Sequence, residues 1–77
     1  MEKRDVELIE KYSPRDEVLA RLYNDHLLFE SELSELEKRT YLTPEEEARI
    51  KELKKKKLLG KDRIEAILRK YRALEGN

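Results

Sequence analysis

Between residues 19 and 36 the buried-type positions advance by three and four in turn: Leu19, Leu22, His26, Phe29, Leu33 and Leu36. That spacing keeps one stripe of a helix facing a partner helix, with a and d positions repeating every seven residues. The same steps recur at Ile50, Leu53, Lys57, Gly60, Ile64, Ile67, Tyr71 and Leu74. Ahead of both stretches, Val6 and Ile9, with Leu8 and Tyr12, give a shorter segment one apolar side. The pattern predicts three helices, over about residues 3–12, 14–39 and 44–74.

Two prolines punctuate that pattern. Ser13-Pro14-Arg15-Asp16 and Thr43-Pro44-Glu45-Glu46 each offer a hydroxyl for the N-cap, Pro at the first helical position and an acid three residues after the cap. Both read as helix starts, and the preceding helices are expected to stop near Tyr12 and between Arg39 and Leu42. Two long helices of about 40 Å joined by about four residues have to fold back on each other. The expected fold class is therefore all-α, an antiparallel two-helix coiled-coil hairpin with a short N-terminal helix, as a single domain over residues 1–77. The first helix is expected to close the open end of the hairpin near Leu19, Leu68 and Tyr71.

Charge agrees with that pairing. Residues 13–39 carry four bases and seven acids, whereas residues 40–77 carry eleven bases and seven acids, so the two long helices attract. Over the whole chain 18 Lys+Arg balance 18 Asp+Glu, which leaves no global field to favour nucleic acid or an acidic membrane. At 77 residues with 47% charged side chains the core is thin, and extra burial against a second copy or another protein is expected. No apolar run is long enough for a membrane span, and the mixed charges of Met1 to Asp5 do not make a secretory signal, so a cytoplasmic location is expected.

Catalytic chemistry finds little to work with. There is no cysteine, one histidine, no Glu-x-x-His pair, no glycine-rich phosphate loop and no Ser–His–Asp set. A slender helix pair also lacks the enclosed pocket that a small-molecule substrate needs. The expectation is a protein without enzymatic activity, cofactor or metal.

Three sets of residues carry the functional reading. Leu28, Leu58 and Leu59 lie off the seam and widen its apolar stripe, which suits a second copy in a dimer or tetramer, or a helix of another protein. His26, Lys57 and Gly60 interrupt the seam close together in space. They are either a titratable layer or a plain structural one, with His26 bonded to Glu30 and Lys57 reaching water. Leu22 or Tyr23 could fill the space that Gly60 leaves. The run Arg49, Lys51, Lys54, Lys55, Lys56, Lys57, Lys61 and Arg63 supports a rival reading as a nucleic-acid-binding adaptor, with Lys51, Lys54, Lys55 and Lys61 on phosphates. Against it, consecutive lysines point different ways, some are expected to pair with Glu30, Glu32 and Glu35, and no aromatic interleaves with the run.

The stretches Leu22-Tyr23-Asn24-Asp25-His26-Leu27-Leu28-Phe29, Leu36-Glu37, Leu53-Lys54-Lys55-Lys56-Lys57-Leu58 and Lys61-Asp62-Arg63-Ile64 resemble the YdcH-like small bacterial proteins, a family of unknown function. The resemblance covers residues 5–71 and implies a small cytoplasmic helical hairpin with no assigned catalytic residue. The chain departs from the family pattern at Gly60, where that pattern places Leu.

Overall fold

The computed structural model describes residues 2–76 and holds helix α1 (Lys3–Tyr12), a 3-10 turn (Ser13–Arg15), α2 (Glu17–Glu37) and α3 (Pro44–Leu74). No strand occurs among the described residues, so the protein is all-α. The start of α3 follows from its sequence. Thr43 Oγ1 accepts from the Glu46 N–H at 3.1 Å while the Glu46 carboxylate accepts from the Thr43 N–H at 3.0 Å, a reciprocal capping box with Pro44 at the first position.

The start of α2 differs from its look-alike motif. Ser13 does not cap it: its backbone stays right-handed helical at φ −58°, ψ −33°, carrying the coil of α1 through the Pro14 turn. The extended backbone that an N-cap requires comes at Asp16, φ −136°, ψ 96°, whose carboxylate accepts from the Leu19 N–H at 3.0 Å. Helix α2 thus spans 17–37 rather than 14–39.

Helices α2 and α3 lie side by side in opposite directions. Asp16 at the start of α2 bonds Tyr71 near the end of α3, while Glu32 meets Arg49 near the other end. Their shared seam holds two separate apolar clusters. Toward the 38–43 connection, Leu33, Leu36 and Leu53 are buried with Phe29 and Ile50 against them. At the open end Leu19, Ile64 and Leu68 are buried together with Ile9 of α1, flanked by Leu8, Tyr12, Leu22, Tyr23, Ile67 and Tyr71. Helix α1 therefore closes the open end, where it was expected. Leu74, assigned to the seam by spacing, stands exposed past the last packed turn.

Polar contacts fix α1 in place. The rings of Tyr12 and Tyr71 stack with centroids 3.9 Å apart and 12° between planes. The Tyr12 hydroxyl donates to Glu75 at 2.8 Å, Lys11 also meets Glu75, and Arg72 reaches Asp5 of α1 and Glu65 of its own helix. The Tyr71 hydroxyl donates to Asp16, which holds that carboxyl below its ordinary 3.8 and pushes the phenol above its ordinary 10.0.

Two outcomes follow at this junction. Asp16→Ala is expected to cost about 1 kcal/mol by urea denaturation, and Ser13→Ala close to nothing, because only the first removes a cap. The lowered Asp16 stabilises the fold above pH 3.8 and loses that contribution as pH falls through its depressed folded value. The raised Tyr71 stabilises below pH 10.0 and loses its contribution as pH rises through its elevated folded value. Near-ultraviolet circular dichroism of the tyrosines is expected to show both losses, with the alkaline one shifted in Tyr71→Phe.

Candidate functional site

Between the two clusters the seam is polar. His26 is buried at 4% exposure, and its Nε2 meets Glu30 Oε1 at 2.8 Å across one helical turn. Lys57 of α3 reaches the same Glu30 oxygen at 3.6 Å. The His26 ring thus supplies the Nε2 proton to a carboxylate shared with a lysine. Its Nδ1 is buried with no hydrogen-bond partner among the described residues. That orphaned atom carries a desolvation cost of about 1–3 kcal/mol.

Gly60 completes this layer. An added Cβ would meet nothing within 4 Å outside its own helical neighbourhood, so neither Leu22 nor Tyr23 fills the space as the sequence suggested. Both are drawn instead into the open-end cluster beneath α1. At Gly60 the chain thus leaves a dent in the middle of its seam.

On the outside the pattern is reversed. Leu28 is 61% exposed, Leu58 60%, Leu59 51% and Leu27 44%. Asp16–Tyr71 and Glu30–Lys57 have residue numbers that each add to 87. Leu28 and Leu59 share that relation and stand level with one another, beside the polar layer. The three leucines singled out from sequence lie beyond what the opposing helix of the chain covers. One residue past the seam turns about 100° round the helix and two turn about 200°, so they face away from it. Leu27 was missed, although the signal is in the sequence: His26-Leu27-Leu28 and Lys57-Leu58-Leu59 both place two leucines after a polar seam residue.

The basic run divides. Arg49 grips Glu32 through Nε at 2.6 Å and Nη2 at 3.0 Å and also meets Glu52 at 3.4 Å, while Lys56 pairs with Glu52 at 2.9 Å. The Arg49 guanidinium holds the Glu32 carboxyl below the usual range. Glu35 meets Lys38 on its own side of the molecule rather than a base of α3. Lys51, Lys54, Lys55 and Lys61 are exposed and make no ion pair among the described residues. An open groove runs between α1 and the end of α3, where Asp5, Arg72, Glu65, Lys11 and Glu75 largely satisfy one another. Among the described residues no three His, Asp or Glu side chains are placed to hold a metal, and no helix is long and apolar enough to cross a membrane.

These features belong to an all-α protein built on a paired-helix core that a third helix closes. Residues 19–68 match the family described as "Protein of unknown function (DUF465)", and the chain belongs to that family, which includes the YdcH-like proteins. The match begins and ends on Leu19 and Leu68, two fully buried residues of the cluster that α1 covers, so α1 lies outside it. No curated protein matches the chain. No solved structure matches it either.

If the polar layer is structural, His26→Leu removes the orphaned nitrogen and joins the two apolar clusters, so its thermal midpoint is expected to rise. A marked fall would assign His26 a role that packing does not explain. Gly60→Ala fills empty space in a helix interior and is expected to add about 0.5–1 kcal/mol in chemical denaturation.

Proposed function

We propose that the protein is a non-enzymatic helical interaction module: a coiled-coil hairpin that binds another protein surface through its outward leucines. The observation that supports this is the inverted middle of the molecule. At one level along the helix pair the seam carries the buried His26 with the half-buried Lys57 and Gly60, while Leu27, Leu28, Leu58 and Leu59 face out. Single exposed leucines are ordinary on any surface, but here a belt of four, two on each flank, stands at one level of a molecule only 17–20 Å across. Burying such a belt removes apolar surface from water at about 25 cal/mol per Å² and adds to a thin core.

A second reading, a nucleic-acid-binding adaptor, draws on the exposed and unpaired Lys51, Lys54, Lys55 and Lys61. Two features weigh against it. Arg49, Lys56 and Lys57 are taken up by acids of the chain, and Tyr41, the most exposed aromatic, stands on the 38–43 connection rather than among the lysines. Base stacking therefore has no platform along the run.

Salt separates the two. Polarisation with labelled single-stranded RNA and duplex DNA is expected to show no binding at physiological ionic strength. Association measured by light scattering is expected to persist in 0.5 M salt and to disappear in the Leu28→Glu/Leu58→Glu double variant. Oligonucleotide binding with a steep salt slope, lost in Lys54→Glu/Lys61→Glu, would replace the interaction-module reading.

A further inference from the structure

The two flanks of the helix pair are not equivalent, and their ion pairs tell them apart. Glu32, Arg49, Glu52 and Lys56 form a connected ladder along one flank. Leu28 lies one turn from Glu32 on α2 and Leu59 one turn from Lys56 on α3, so both leucines stand on that flank. Asp25 and Arg63 continue the two stripes by one more turn, toward the open end. The opposite flank carries Leu27 and Leu58, and its stripe runs on through Lys61 to Glu65, one heptad beyond Leu58. There Arg72, which also meets Glu65, holds Asp5 of α1, and Tyr23, one turn before Leu27, packs into the cluster under α1. Helix α1 thus obstructs the Leu27/Leu58 flank at the open end and leaves the Leu28/Leu59 flank free along its length.

Charge then selects what fits the free flank. Helix α2 holds six acids and one base, net −5, and α3 holds six acids and eleven bases, net +5. Two copies can meet flank to flank about two simple two-fold axes. An axis across the helices sets α2 on α2 and α3 on α3, like charge on like. An axis along the helices sets α2 of each copy on α3 of the other, so that every helix has antiparallel neighbours of opposite charge.

In the second arrangement the level that relates the helices within one chain also relates them between chains. Leu28 then meets Leu59 of the second copy. Asp25 meets Arg63 and Glu32 meets Lys56, residue numbers adding to 88 against the 87 of the pairs within the chain. An offset of one residue is about 1.5 Å, well within the reach of these side chains. Asp25 and Arg63 have no ionic partner among the described residues, so the contact supplies one to each.

Resting on the interaction-module reading, we propose that the partner is a second copy of this chain, docked on the Leu28/Leu59 flank about a two-fold axis parallel to the helices, giving an antiparallel four-helix bundle that places Asp25 against Arg63 and Leu28 against Leu59. The polar seam and the dent at Gly60 then lie inside each helix pair, while the apolar layer missing there is supplied between pairs. Lys51, Lys54 and Lys61 stay on the outside of the bundle.

Sedimentation velocity between 1 and 200 µM tests this, with circular dichroism confirming that each variant keeps its helix. The native chain is expected to dimerise. Leu28→Glu and Asp25→Arg are each expected to weaken the dimer at least tenfold, whereas Leu58→Glu leaves it within twofold. The double variant Asp25→Arg/Arg63→Asp exchanges the two charges and is expected to recover most of what Asp25→Arg loses. A native monomer throughout overturns the proposal, as does a dimer broken by Leu58→Glu and not by Leu28→Glu. A dimer that the charge exchange fails to restore overturns this register. A dimer on the other flank or in another register leaves the wider reading standing, and that reading fails on salt-sensitive oligonucleotide binding through Lys54 and Lys61.

Discussion

A pair of helices buries one seam, and here that seam is polar at mid-length. His26, Lys57 and Gly60 occupy the positions that would join the Leu33–Leu36–Leu53 cluster to the Leu19–Ile64–Leu68 cluster. Each cluster needs its own closure because they do not support one another through the middle. The connection end is closed by the Thr43 capping box and the Glu32–Arg49 pair. The open end is closed by α1, whose Ile9 reaches zero exposure only because Leu19, Ile64 and Leu68 converge from the two long helices. A ten-residue helix is marginal alone, so α1 in turn depends on this docking.

The same interruption shapes the outer surface. A heptad seam holds a fixed number of positions, and with three of them given to polar or absent side chains the nearby leucines fall one and two residues later, on the outside. Glu30 links the two regions chemically, accepting from His26 and pairing with Lys57 inside the layer. A half-exposed carboxylate–lysine pair of this kind contributes little net stability, but its link to the buried His26 favours one alignment of two long helices that could otherwise slide by a turn. Alignment is what sets Leu28 level with Leu59, and therefore what gives the free flank its shape.

Much of the fold was legible from residue spacing, because a 3–4 repeat, few glycines and a Thr-Pro-Glu-Glu start all point to one structure. The docking of α1 near Leu19, Leu68 and Tyr71 was legible for the same reason: its apolar side had nowhere else to go. The start of α2 was not. Ser13-Pro14-Arg15-Asp16 imitates a capping sequence, but the backbone runs on from α1 through a 3-10 turn, and only Asp16 reaches the extended conformation that a cap needs. The fate of Gly60 was equally hidden, since the bulky neighbours suited to its gap are drawn toward α1. The outward leucines were found in part. Leu28, Leu58 and Leu59 stand out in the sequence as apolar residues off the seam, whereas the repeated polar-Leu-Leu step that also marks Leu27 acquires meaning only once both helices are set at one level.

If the middle of the helix pair is completed from outside, its stability must depend on protein concentration. Amide hydrogen exchange of the native chain, measured at protein concentrations well below and well above its association range, tests it most directly. Amides of residues 25–32 and 56–63 are expected to slow as concentration rises, while those of α1 stay unchanged. Exchange in the middle that is independent of concentration, with protection confined to the two apolar clusters, would contradict it.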